Sequence, residues 1–264
     1  MKTNSKATAV ITGASAGIGE IYADRLARRG YDLVLVARDK ERLNSVAAQL
    51  SQETGRSIRI VFADLTKKVD LAQVQQVLRT DESIRILINN AGVGAPAKFL
   101  DSEIERLTGM IDLNVSALVR LTYAAVPPFL ERGGAIINIA SVVGIVPELL
   151  NGVYGGTKAF VLAFSRSLQK EFSGGKIRVQ VVLPGATATD FWHIAGTPLE
   201  QVPSEMVMKA DEMVDAALAG FDRGEFITIP SLPDIADWET YEAARDKLIP
   251  HLSLSAPAQR YAIA

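Results

Sequence analysis

Short runs of aliphatic and β-branched residues alternate with amphipathic stretches almost from one end of the chain to the other. The β-rich runs are Ala7–Thr12, Asp32–Ala37, Ser57–Ala63, Ile84–Asn89, Ala135–Ala140, Lys176–Leu183 and Glu225–Ile229. Leu33-Val34-Leu35-Val36 is continuously apolar rather than alternating, and Val179–Leu183 is nearly so. Strands covered on both faces have that pattern, and parallel sheets flanked by helices are built from them. Helical periodicity fills the gaps at Gly17–Arg29, Lys40–Glu53, Lys67–Arg79, Ser102–Val126, Tyr154–Phe172, Asp211–Asp222 and Ile235–Leu248. The alternation predicts an α/β fold: a single doubly wound, Rossmann-type domain over residues 1–264. Its seven-stranded, mostly parallel sheet carries helices on both faces, joined by right-handed crossovers. Pro127-Pro128 is expected to close the long fourth helix, since each proline removes an amide donor and crowds the turn behind it.

Composition narrows the function. The 264 residues are 48% hydrophobic and 22% charged, enough apolar material for a large core. There is no cysteine, which removes disulfides, thiolate metal sites and cysteine nucleophiles, and fits a reducing compartment. With 28 basic and 30 acidic residues the net charge is −2, giving no electrostatic case for a nucleic-acid partner. Two histidines in all argue against a catalytic metal. The uncharged run Gly133–Pro147 is too short and too rich in Gly and Asn to span a bilayer, so no membrane partner is expected. Lys2 and Lys6 precede an apolar stretch, but Ala7–Ile11 falls short of the roughly 7–15 residues of a signal-peptide core. The expected location is the cytoplasm.

The first strand runs into Thr12-Gly13-Ala14-Ser15-Ala16-Gly17-Ile18-Gly19 and then a helix. A dinucleotide pyrophosphate needs backbone amides at close range and the positive end of a helix, with side chains out of the way. A glycine-rich loop by itself is also a tight turn; its place after the first strand favours the phosphate reading. The spacing Gly-x-x-x-Gly-x-Gly resembles the single-domain branch of the short-chain dehydrogenase/reductase superfamily, over about residues 7–190. That resemblance implies an NAD(P)-dependent oxidoreductase moving a hydride between nicotinamide and a carbonyl or secondary alcohol. It implies a cofactor-binding and catalytic core at 7–187, a substrate lid and following helix at 188–222, and a last strand with a C-terminal extension at 223–264. Gly13, Ser15, Gly17, Ile18 and Gly19 would then hold the cofactor.

In dinucleotide folds the end of the second strand meets the adenosine ribose, where an acidic residue would repel a 2′-phosphate. Here that strand ends Ala37-Arg38, with no carboxylate at Ala37. A guanidinium grips phosphate bidentately and stays charged, so Arg38 points to NADP(H) over NAD(H). The same arginine could instead open the next helix and pair with Asp39. Asp64, after the third strand, is similar to the family's adenine-contacting acid, assisted by the amide of Leu65, and is equally suited to cap the next helix. Asn89-Asn90-Ala91-Gly92 matches a family motif that stabilises the sheet and borders the cofactor; alone it reads as turn chemistry. Pro184-Gly185 resembles the family's turn beside the nicotinamide, which implies that Thr187 contacts the carboxamide. A plain loop threonine is the alternative.

Tyr154 and Lys158 lie four apart at a helix start and share a face. A phenol titrates near pH 10, and about 4 kcal/mol favouring phenolate would bring it to about 7. An ammonium about 5 Å away contributes around 3 kcal/mol at an effective dielectric near 20, and the positive nicotinamide of the oxidised cofactor would add to it, which makes the pair energetically sufficient. Tyr-x-x-x-Lys also arises as a surface helix pair, so its context matters. Ser141 ends the fifth strand thirteen residues earlier, where strand ends form the crevice of an open α/β sheet. The resemblance implies that Ser141 bonds the substrate oxygen, Tyr154 exchanges the proton and Lys158 also holds the nicotinamide ribose. It implies that Asn114, otherwise a solvent-facing helical Asn, holds a water that relays protons to Lys158. Gly155 and Gly156 depart from the family's alanine or serine, each at about 1 kcal/mol against the helix.

Ala188–Met208 reads as a loop with short helical pieces, rich in large apolar groups: Phe191, Trp192, Ile194, Leu199, Met206 and Met208. Loops of about twenty residues are usually functional or disordered. With Val93, Val142 and Val143 they suggest an apolar pocket for a lipophilic ketone, aldehyde or alcohol, though Trp192 and the methionines suit core or interface equally. His193 reads as a loop side chain. The helices Ser102–Val126 and Tyr154–Phe172 are apolar on more than one face, which suggests a homodimer or homotetramer. A nucleotide-binding sensor on the same fold would have no use for Ser141, Tyr154 and Lys158 together. An epimerase or dehydratase of the superfamily would carry a longer C-terminal substrate domain.

Overall fold

The structure is a computed structural model that describes residues 7–94, 99–150, 152–195 and 199–261. Seven strands form one parallel sheet: β1 Thr8–Thr12, β2 Asp32–Ala37, β3 Ile58–Phe62, β4 Ile84–Asn89, β5 Gly134–Ile139, β6 Ile177–Val182 and β9 Ile227–Thr228. Their order is β3-β2-β1-β4-β5-β6-β9, so the winding reverses between β1 and β4. Open α/β sheets bind ligands outside the carboxyl ends of the strands at that reversal.

The helices are α1 Gly17–Arg28, α2 Lys40–Thr54, α3 Lys68–Thr80, α4 Ile104–Ile111, α5 Leu118–Arg132, α6 Gly152–Glu171, α7 Phe191–Ala195, α8 Ala210–Arg223 and α9 Ile235–Asp246. Alternate strand residues feed two separate cores. Ala9, Ile11, Leu33 and Leu35 join Tyr22, Leu26, Leu43 and Met213 from α1, α2 and α8. Val10, Val34 and Val36 join Val74, Leu121, Phe129 and Leu168 from α3, α5 and α6. The central strands are therefore covered on both faces, which is why they are largely apolar, while the edge strand β3 exposes Arg59 and Phe62.

Several polar side chains inside this sheet are hydrogen-bonded, although Asn89 Oδ1 and Gln180 Oε1 have no partner among the described residues. Asn89 and Asn138 sit opposite each other in β4 and β5. The Asn89 amide donates to Asn138 Oδ1 at 2.9 Å and to Thr122 Oγ1 at 3.1 Å. Asn138 Nδ2 donates to Ser165 Oγ at 2.9 Å. Unpaired, such groups would each cost about 1–3 kcal/mol; paired, they lock the sheet to α5 and to α6.

Three expectations need correction. The fourth helix does not stop at Pro127-Pro128: both prolines lie inside α5, which runs on to Arg132. Proline's fixed φ suits a helix, and the fully buried Phe129 anchors the final turn against the loss of two amide donors. That helix is also not one regular piece, since Asp112–Ala117 forms a π-helical stretch between α4 and α5. Residues 188–208 are not wholly loop and short helix. β7 (Ala186–Ala188) and β8 (Val207–Lys209) pair in parallel and close the segment at its base. By compactness the chain falls into two units, Met1–Pro230, which holds β9, and Ser231–Ala264.

The helical run Ile104–Arg132 is long and apolar enough to cross a membrane by length and composition. Half of its apolar window is buried inside the protein, as a core helix requires.

Candidate active site

The glycine turn after β1 has the backbone that its sequence predicts. Gly13 and Gly17 take left-handed φ of +66° and +57°, and a Cβ on Gly19 would strike the Gly13 carbonyl oxygen. The turn is stapled to the end of β4. The Thr12 hydroxyl accepts from the amides of Asn90 and Ala91, each at 3.0 Å, and donates to Ile88 O. Asn90 Nδ2 donates to Thr12 O at 2.9 Å. The Asn-Asn-Ala-Gly motif thus holds the two central strands in register at their carboxyl ends.

A cleft of about 910 Å³ opens there. Gly13, Ser15, Arg38, Leu65, Ala91 and Gly92, all expected from sequence, line it. Pyrophosphate amides, a helix N-terminus and a base-sized opening sit side by side, so the residues present fit a dinucleotide. The Arg38 guanidinium makes no ion pair or hydrogen bond with another described residue. The alternative pairing with Asp39 is not formed, because Asp39 accepts the Arg42 amide at 3.0 Å as the cap of α2. Asp64 is outside the cleft lining, and α3 is capped at Lys67, so the helix-cap reading of Asp64 does not hold. Its carboxylate is taken by the Thr66 amide at 3.0 Å and hydroxyl at 2.7 Å. Partial burial raises its pKa, but those bonds and the attraction of Arg38 and Lys67 hold it below the ordinary carboxylate value.

Behind Gly92 of the cleft wall, the end of β5 delivers Ser141 and α6 delivers Tyr154 and Lys158. The Ser141 hydroxyl lies near that of Tyr154 and favours its phenolate. It also donates to Pro184 O at 3.2 Å and accepts from the Val143 amide at 3.3 Å. Lys158 is buried, donates to Ile139 O at 3.0 Å, and lies 5.8 Å from the Tyr154 ring centre. Asn114 does not face solvent; the π-helical stretch turns it inward to 2% exposure. Such stretches gather at functional sites. Its side-chain oxygen accepts from the Val93 amide at 3.0 Å, and its amide donates to Val93 O and Thr157 Oγ1. Gly92 sits between Asn114 and Lys158: a Cβ there would be 3.1 Å from Asn114 Oδ1 and 3.7 Å from Lys158 Nζ.

Residues 7–198 match the short chain dehydrogenase family. The chain belongs to that family. It is 35% identical over 214 residues to human 17-beta-hydroxysteroid dehydrogenase type 3, covering 80% of this chain and 66% of that enzyme. A short-chain dehydrogenase from Sphingobium yanoikuyae, solved with NADPH, is 49% identical and superposes with a TM-score of 0.94 over 97% of this chain and 100% of its own. A bulky-bulky ketone specific alcohol dehydrogenase from Comamonas testosteroni is 44% identical, with a TM-score of 0.90 over 98% and 99% of the two chains. This short-chain dehydrogenase is therefore an oxidoreductase that uses a nicotinamide cofactor on a small-molecule substrate.

The electrostatics of its site differ from the sequence expectation. Burial pushes the Tyr154 phenol up to about 12, a rise that the nearby Ser141 hydroxyl only partly offsets. Burial also draws the Lys158 ammonium down to about 8. A neighbouring ammonium alone does not bring the phenol towards 7, since the cost of a dry phenolate exceeds the Coulomb gain. Without further positive charge, Tyr154 keeps its proton.

The apolar wall is narrower than the lid sequence suggested. Tyr154 packs with Leu107, Met110 and Val143, and Val93 and Phe191 pack on that group. The Phe191 ring centre is 5.8 Å from that of Tyr154. Trp192 braces Phe191 edge-on at 5.9 Å while donating to Thr187 O at 2.9 Å. Met208 instead packs on the core beside α8, and Met206 is exposed. The side chain of Ile194 lies outside the described residues. Thr187 is buried in β7, its hydroxyl turned to Gly185 O at 3.2 Å.

Two charged cleft residues, Arg42 and Asp190, escaped the sequence reading, and His193, read as a loop side chain, also lines the cleft. Arg42 carried one faint signal, its place three after Asp39 on a helix. The lid segment has no periodicity that marks Asp190 or His193.

Proposed function

We propose that this enzyme reduces bulky, lipophilic ketones with NADPH, with Tyr154 as the proton donor. The observation that carries this reading is that Ser141 and Tyr154 lie beside the buried Lys158, which approaches Gly92 in the wall of a cleft that also presents an uncommitted arginine. When bound, the nicotinamide supplies the hydride. The chain's own residues do the rest.

Arg38 and the cleft lining would hold the 2′-phosphate and the adenosine. Amides of the Gly13–Gly19 turn would meet the pyrophosphate, and Gly92, Pro184, Gly185 and Thr187 would border the nicotinamide end. Ser141 donates to the ketone oxygen, and Tyr154 passes its hydroxyl proton to that oxygen as the hydride reaches carbon, giving the alcohol. Lys158, tethered to Ile139, stabilises the phenolate left behind and lies on its route to a new proton. Asn114 fixes Val93 and Gly92 beside Lys158, and a water held there would complete that route. A phenol kept protonated by burial favours reduction at neutral pH.

The wall of Leu107, Met110, Val143 and Phe191 supports a lipophilic substrate. So do two similar enzymes, one named for steroids and one for ketones bulky on both sides. The test is NADPH oxidation against a panel of diaryl, cyclic and steroid ketones, with short polar carbonyls as contrast. Tyr154→Phe is expected to lower turnover by about 10²–10⁴-fold while cofactor affinity holds. Near-normal turnover in that variant, or preference for the polar carbonyls, overturns the reading. Exposed Tyr123 on α5 and Phe160 on α6 further support a helix-paired dimer or tetramer, which sedimentation at micromolar concentration tests.

A further inference from the structure

Thr189, Asp190 and Phe191 are consecutive, yet each meets a different neighbour, and Asp190 lines the cleft. Thr189 lies over the phosphate turn: a Cβ on Gly17 would be 3.1 Å from Thr189 Cγ2. Asp190 reaches the adenosine end, where its carboxylate accepts from Arg42 at 2.8 Å. Phe191 packs on Tyr154 and against Gly94. The Phe191 amide donates to the Thr189 hydroxyl at 3.3 Å, so the three move as one turn.

Arg42 borders the same cleft as Arg38. Its guanidinium is engaged by Asp190 and, at 3.6 Å, by Asp39. Arg42 and Asp190 are both more than half exposed, and such ion pairs are weak. A phosphate dianion offers the same bidentate acceptor geometry with more charge. Asp190 therefore stands where a 2′-phosphate would compete for Arg42.

We propose that Asp190 is a positioning residue that couples recognition of the 2′-phosphate to the place of Phe191. When Arg42 turns to the phosphate, Asp190 is released, and the adjacent Phe191 leaves the face of Tyr154 for the ketone. With a cofactor that lacks the 2′-phosphate, the Arg42–Asp190 pair persists and Phe191 stays over Tyr154. Discrimination between the two cofactors then shows in ketone binding as well as in cofactor binding. The inference rests on the NADP(H) reading above.

The chain has two tryptophans, Trp192 and Trp238, so Trp238→Phe leaves Trp192, which touches Phe191, as its one tryptophan reporter. The probes are adenosine 2′,5′-bisphosphate and AMP, which differ in the 2′-phosphate and carry no nicotinamide. In this background the bisphosphate is expected to shift Trp192 emission and AMP to leave it unchanged. Asp190→Asn without ligand should already show the shifted emission and bind the bisphosphate about threefold more tightly. Its ketone KM measured with NADH should fall about threefold, and Asp190→Glu should restore wild-type behaviour. Equal emission with both saturating probes, or no tighter binding by Asp190→Asn, overturns the coupling and leaves the cofactor reading intact. Equal affinity of the two probes for the wild-type enzyme overturns both.

Discussion

Phe191 lies so close to Gly94 that a Cβ on the glycine would enter its ring. The two residues are far apart in sequence, and their contact sets how much of the Tyr154 face is covered. Ring and glycine form a single steric unit.

Removing the ring should therefore enlarge the site. Phe191→Ala is expected to raise kcat/KM for the largest ketones relative to small ones by about tenfold, the usual scale for pocket volume changes. Gly94→Ala should act in the same direction by displacing the ring. Steady-state ratios across a size series of ketones check both, and an unchanged ratio in Phe191→Ala removes Phe191 from the pocket wall.

Arg38→Ala should separate the cofactors. Loss of a charge-assisted bidentate contact costs about 1.5–3 kcal/mol, or roughly 10- to 100-fold in Kd. The loss should appear for NADPH and be small for NADH. Fluorescence titration of both reduced cofactors measures it, and equal losses would argue that Arg38 acts on the fold rather than on the phosphate.

Lys158 carries a pH signature. Burial lowers its pKa from 10.5 to about 8, so the folded protein holds fewer protons than the unfolded chain between those values. Stability from this group therefore rises with pH across that window, and the penalty, on the order of 3 kcal/mol, is complete below about pH 8. Lys158→Met leaves the Ile139 carbonyl unpartnered at every pH, so the slope and not the offset tests the idea. The melting temperature of the variant relative to wild type should fall as pH climbs from 8 to 10.5. A flat difference rejects the assignment.

Gly155 and Gly156 look alike in sequence but not in space. A Cβ on Gly155 would lie 2.6 Å from Pro147 O, whereas nothing lies within 4 Å of one on Gly156. Gly156→Ala should stabilise the protein by about 0.5–1 kcal/mol through helix propensity. Gly155→Ala should destabilise it and shift Tyr154. Paired thermal melts decide the matter, and destabilisation by Gly156→Ala counts against this packing.

Much of this was legible in the sequence because it is local. Runs such as Leu33–Val36 identify doubly covered strands, and the Gly13–Gly19 spacing identifies the phosphate turn, since both patterns follow from backbone geometry. The strand positions of Ser141 and the helical spacing of Tyr154 and Lys158 needed no tertiary information either. What the chain order could not reveal depends on contacts across the fold. Burial, not proximity of charge, sets the protonation of Tyr154, and burial is a property of the packed whole. Pro127 and Pro128 stay helical because Phe129 is anchored from outside the helix, and Asn114 turns inward through a π-helical stretch that leaves no trace in the periodicity. Arg42 meets Asp190, and Gly94 meets Phe191, only after the sheet has brought the ends of distant segments to one cleft.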